Sequence, residues 1–208
     1  NEIANLSILA WLRKAELEGM TIEVEKFSRR KLKTFISTFR KLTLKAPPQF
    51  FPELQKLCAE CGVALVLVED LPKTYICGAT IWRNNKAILA LSVRGKRADI
   101  FWFTFFHELA HLIHHAKRQF HINYENNAEE DEANKIARNY LIPDHLYQDF
   151  INNYPYTDQK QIVNYANKIE IAPCILVGRL LHDNLIEYKN YSNLRPSFEI
   201  VRPVAVNA

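Results

Sequence analysis

Cysteine is scarce: four residues in a chain of 208 are too few to staple it, which excludes a disulfide framework as the basis of the fold. Cys58 and Cys61 form a lone C-x-x-C, and no second pair is spaced to complete a zinc site with them. All four are expected as reduced thiols in a reducing compartment. No apolar run reaches membrane-spanning length and no signal peptide stands at the start, so the expectation is a soluble, cytoplasmic protein. Internal repeats and low-complexity tracts are also missing, as is a strong charge of either sign. A net charge of +4 is too mild to point to nucleic acid by itself. The basic residues are uneven: Lys26, Arg29, Arg30, Lys31, Lys33, Arg40, Lys41 and Lys45 follow one another with no acid after Glu25. A solvated helix face is the preferred reading of that cluster over a phosphate-facing patch. The chain opens at Asn1 rather than at a methionine, and the expectation is a start inside a longer protein.

What is present is apolar residue in quantity. At 48% hydrophobic and 24% charged, the composition fits one large or two small globular domains. The densest stretch, Ile100 to Ala116, reads IFWFTFFHELAHLIHHA. Within it His107, Glu108 and His111 form H-E-x-x-H. Histidines four apart share one helix face, so both rings can address one metal ion. The intervening glutamate then lies where it can take a proton from water. Trp102, Phe103, Phe105, Phe106, Leu109 and Ile113 leave almost no polar face around them. Titratable groups buried in such a helix are costly unless a metal or hydrogen bonds compensate them.

The chain divides into a helical N-terminal segment (1–61), a core (62–150) and a helical C-terminal subdomain with a tail (151–208). Helices are expected at 5–18, with Leu6, Leu9, Ala10 and Leu17 on one side and charges on the other, from an N-cap at Ser28 to about residue 40, and from Pro52 to Cys61. Strands are expected at 63–68, 75–82 and 86–92, the last two joined by a hairpin turn at Asn84-Asn85. The polar stretch 117–127 reads as a loop. Helices follow from Ala128 to Leu141, at 144–150, from Thr157-Asp158 to about Ile169, and from Ala172-Pro173 to Leu181. A strand is expected at 185–188, and the tail from Asn190 as extended and partly loose. The fold class is α+β: a small three-stranded sheet, the H-E-x-x-H helix and a ligand helix. One edge of such a sheet could align an extended peptide.

Catalytic zinc takes three protein ligands. On the helix after Ala128, Glu130 shares the small, apolar side with Ala133, Asn134 and Ala137, which makes it the best third ligand. Glu129 is held in reserve, and Glu132 points mostly outward. Asn134 could hydrogen-bond a ligand histidine. A third histidine in the metzincin position would fall at 117, which is Lys117, and the glycine that motif needs is His114. His114, His115 and His121 read as surface or loop residues. His182, at the end of an apolar helix, is a candidate for stabilising the oxyanion of peptide hydrolysis; satisfying terminal carbonyls is an equal reading.

His107-Glu108-Leu109-Ala110-His111, followed by Glu130, Ala133, Asn134, Ala137 and Leu141-Ile142-Pro143, resembles the ImmA/IrrE family of metallo-endopeptidases. The flanking Phe101 to Phe106 and Ile171 to Leu180 look like a subgroup fused to an N-terminal helix-turn-helix domain. The resemblance implies a thermolysin-like zincin core with His107, His111 and Glu130 on Zn2+ (or Mn2+) and Glu108 as base. It implies a protein substrate, a helix-turn-helix repressor cut in a stress or mobile-element response. DNA would be touched only through a missing N-terminal domain. Because subgroup members also resemble toxin–antitoxin regulators, a regulatory module with a structural or vestigial metal site is the alternative. The helix-turn-helix-like spacing over Ile162 to Leu180 supports that alternative, although its second helix offers only Arg179 as a base. A ligand-sensing scaffold is a third reading.

Overall fold

The computed structural model describes residues 2–72, 74–92, 97–116, 120–122 and 128–198. Three helices lead the chain: α1 (Glu2–Thr21), α2 (Arg29–Leu42) and α3 (Pro47–Glu60). Ser28 caps α2 as its position predicts, its side chain accepting from the Lys31 N–H at 3.2 Å. Helix α3 starts earlier than expected because Pro47 and Pro48 open it. In the first turn a missing N–H leaves no intrahelical bond unmade, so the helix begins at these prolines rather than at Pro52.

The sheet follows. Strands β1 (Val63–Leu67), β2 (Gly78–Arg83) and β3 (Lys86–Leu91) are the three expected, and Asn84 and Asn85 make the hairpin turn with φ of 48° and 65°. A short fourth strand, β4 (Phe120–Ile122), joins the edge of β2 inside the stretch read as a loop. The order is β1-β3-β2-β4, with β1 and β3 parallel and the other pairs antiparallel. Both faces are covered, which explains why β1 is apolar throughout rather than alternating. Ala64, Val66, Ala79, Ile81, Ile88 and Ala90 face one side and pack under α1. Val63, Leu65, Ala87, Leu89 and Leu91 face the other side, into the larger core.

Helix α1 turns the opposite way from its leucine stripe. Trp11, Leu12 and Ala15 are buried, while Leu6, Leu9 and Leu17 are 62%, 61% and 54% exposed. Close approach to the sheet decides this: a Cβ at Gly19 would stand 2.5 Å from the Ile88 side chain. The helix therefore docks through its small residues and its tryptophan, and the leucines are left outside.

Helix α4 (Ala98–His114) crosses the second face of the sheet, and α5 (Ala128–Leu141) packs against it. Helices α6 (Asp144–Asn153), α7 (Gln159–Lys168) and α8 (Pro173–His182) complete the fold. Residues 185–187 form no strand; the chain goes instead into a short 3-10 turn at Tyr188–Asn190. Nor is the described part of the tail loose. Arg195 is buried, the Pro196 carbonyl accepts from the Ala98 N–H at 3.0 Å, and Phe198 packs on Phe50 and Phe101. Residues 199–208 lie outside the described set. No helix among the described residues is long and apolar enough to cross a membrane.

Between α3 and β1 the chain reverses at Gly62, with φ of 81° and no room for a side chain: a Cβ there would meet the Phe27 backbone at 2.3 Å. Gly62→Ala is expected to cost more than the roughly 1–2 kcal/mol of a left-handed alanine, because the Phe27 segment must also move. Urea denaturation of the two proteins checks this, and equal midpoints would contradict it.

Candidate metal centre

Helix α4 carries His107 and His111 one turn apart, and both side chains are almost wholly buried. Ala110 of α4 and Ala133 and Ala137 of α5 are fully buried. Their small volume lets the two helices come close enough for Glu130 to reach across. The Nε2 atoms of the histidines are 3.0 Å apart, and the two Glu130 carboxylate oxygens lie 3.1 Å from His107 Nε2 and His111 Nε2. These three residues are a buried group that could hold a metal ion. Glu129, the reserve, is not part of it. Tetrahedral zinc with bonds of roughly 2.0–2.1 Å sets its ligand atoms about 3.3 Å apart, close to the spacing found. Two imidazole nitrogens and a carboxylate, converging out of water, form a donor set that fits the ion.

The far nitrogens of both rings are occupied. His107 Nδ1 is 3.0 Å from Asn134 Oδ1. An amide oxygen only accepts, so the proton sits on Nδ1 and the Nε2 lone pair is free to ligate. His111 Nδ1 is 2.7 Å from Nδ1 of His115. This corrects the surface reading of His115, which is 8% exposed. Helix α4 ends at His114, and the capping residue His115 still donates its N–H to the His111 carbonyl. Four residues after His111, it lies on the same helix face, which places its ring against His111, with Glu132 3.4 Å beyond its Nε2. Arg29 of α2 donates to the His115 carbonyl.

Glu108 is wholly buried and faces the sheet. Period-two alternation turns Gly78 and Thr80 of β2 toward α4. The Thr80 hydroxyl donates to Glu108 Oε2 at 2.9 Å. A Cβ at Gly78 would stand 2.9 Å from Glu108 Cγ and Oε1, so glycine leaves room for the carboxylate. Thr80 escaped notice in the sequence, although a hydroxyl on the buried face of an otherwise apolar strand is the signal that could have found it.

The other candidates fall elsewhere. His114 is outside the metal group; burial holds its imidazole below the usual histidine value, and its Nε2 is 2.8 Å from the Tyr140 hydroxyl. Lys117 and the His121 side chain lie outside the described set. His182, its side chain 58% exposed, ends α8 with Nδ1 3.0 Å from Asp183 Oδ1. It stands on the rim of a mostly apolar cavity of about 260 Å³ lined by Ile100, Phe103, Leu141 and Ile175, with Arg138 beside it. The Phe103 ring that lines it lies 6.2 Å from that of His107, and none of His107, His111 and Glu130 lines the cavity itself. None of the four cysteines forms a disulfide. Burial pushes the Cys61 thiol up to about 11 and Cys174 to about 12, far from a thiolate nucleophile. Helix α8 buries Cys174, Ile175, Leu176, Val177, Leu180 and Leu181, and Arg179 is 16% exposed and paired with Asp183. It has no exposed basic face to lay in a DNA groove.

A family model described as the IrrE N-terminal-like domain, of the M78 peptidases, matches residues 59–174. No curated protein matches the chain.

Proposed function

Because this chain belongs to the M78 peptidase family, we propose that it is a zinc-dependent endopeptidase whose substrate is a helix-turn-helix repressor. One observation carries the reading: the convergence of His107, His111 and Glu130 with both far ring nitrogens already engaged. His107, His111 and Glu130 would hold the ion, with manganese the alternative to zinc. When bound, the ion supplies Lewis acidity toward a peptide carbonyl and toward water. Glu108 takes a proton from the attacking water on its carboxylate and passes it to the leaving nitrogen. Thr80 keeps that carboxylate turned to a fixed position beneath β2. His182 is the candidate donor to the oxyanion, and the apolar cavity beside Phe103 would take a side chain of the bound peptide. The repressor as substrate rests on the family resemblance alone.

The test is cleavage of unfolded polypeptide and of a helix-turn-helix repressor by zinc-loaded protein. Cutting is expected to stop on chelation and return with zinc. Cutting that survives complete metal removal would refute the mechanism. A protein that binds zinc and cuts nothing in either set would favour the regulatory module with a structural site.

A further inference from the structure

His115 makes a contact that the peptidase reading does not use. Its Nδ1 stands 2.7 Å from Nδ1 of His111, a distance at which two bare lone pairs repel, so one of the two nitrogens carries the proton. The two assignments have opposite consequences. With the proton on His115, His111 is left as the Nε2–H tautomer, and that hydrogen points into the space where the ligand atoms meet. With the proton on His111 Nδ1, its Nε2 presents a lone pair there. Glu132 selects between them. Its carboxylate, 3.4 Å from His115 Nε2, can only accept, which favours the hydrogen on Nε2 and leaves the His115 Nδ1 as an acceptor. The backbone of His115 is fastened on both sides, its N–H to the His111 carbonyl at 3.0 Å and its carbonyl to Arg29 of α2. The ring, with a side chain 6% exposed, is packed 4.8 Å from that of His111.

We propose that His115 is a positioning residue for the metal centre: it accepts the Nδ1 hydrogen of His111, is itself oriented by Glu132, and so keeps the His111 Nε2 lone pair aimed at the ion. This rests on the reading of His111 as a ligand. Asn134 does the same work for His107 with an amide oxygen, so the two ligand histidines are set by different chemistry. The His111 arm also reaches α2 through Arg29, which ties the N-terminal helices to the centre.

The experiment measures Zn2+ affinity of the full chain by competition with a chromophoric chelator, and the visible spectrum of the Co2+-loaded protein. His115→Phe keeps the ring packing and removes the acceptor, and should weaken zinc about 10–100-fold and alter the cobalt bands. His115→Asn retains an acceptor near the Nδ1 position and should bind within about threefold of wild type, below that range. Glu132→Gln, a largely exposed site that leaves folding untouched, should weaken binding less than His115→Phe. Wild-type affinity and an unchanged cobalt spectrum in His115→Phe would overturn the proposal. So would His115→Asn binding as weakly as His115→Phe, since packing alone would then explain the loss. Wild-type protein that takes up no zinc would remove the ligand premise and the proposal with it.

Discussion

Glu108→Gln is expected to keep its metal and lose cleavage by about 10²–10⁴-fold, the usual worth of a positioned general acid–base. Glutamine reproduces the shape of the carboxylate, and its amide oxygen can still accept from the Thr80 hydroxyl. It cannot take a proton from water, so the loss belongs to the chemical step and should appear in kcat rather than in KM. Zinc content should match wild type, because His107, His111 and Glu130 make up the ligand group without Glu108. Stability supplies an independent readout with the opposite sign. Glu108 is fully buried, and an ionised carboxylate withdrawn from water costs several kcal/mol unless fully compensated. The neutral amide should therefore melt at the same temperature or higher. An inactive variant with raised stability and unchanged zinc marks a residue kept for chemistry. Wild-type turnover in Glu108→Gln would remove the assigned base.

The centre was legible in the sequence because its spacing is local. H-E-x-x-H fixes which atoms of α4 can converge, and the Ala133–Ala137 face of α5 picks out Glu130 from four neighbouring acids by helical geometry alone. Asn134 follows from the same face. The hairpin at Asn84-Asn85 was readable for a similar reason, since consecutive asparagines tolerate positive φ. What was misread depends on contacts between distant segments. Either stripe of α1 could have been the buried one. The choice belongs to the alanine-rich face of the sheet, where Ala64, Ala79 and Ala90 admit a helix bearing Ala15 and Gly19. Strand β4 has three residues and no pattern of its own; it exists through pairing with β2. His115 stands four residues after His111, the spacing that also joins His107 to His111, so the contact itself was open to the same argument. What spacing alone does not show is that this end of α4 is buried, with Arg29 of α2 and Glu132 of α5 against it.

Glu130→Ala is expected to weaken zinc by more than the roughly 100-fold upper range seen when an orienting partner is removed, because here a ligand itself is lost. The carboxylate is the one anionic member of the group, and two neutral imidazoles four residues apart cannot close a site for a divalent cation. Thermal unfolding reads this without any substrate. A ligand that binds only the folded state stabilises it by RT ln(1 + [L]/Kd), so zinc at 100 times Kd should raise wild-type stability by about 2.7 kcal/mol. For a chain of this length that is roughly 5–11 °C in Tm. At the same free zinc, a variant weakened 100-fold gains only about 0.4 kcal/mol. The metal-free proteins should behave differently. Glu130 is 7% exposed, and alanine removes a carboxylate drawn out of water, so the expected change in metal-free Tm is small or upward. Loss of the zinc increment without loss of the fold separates a ligand from a structural ion-pair partner. If Glu130→Ala showed the full zinc-induced rise, Glu130 would not be the third ligand.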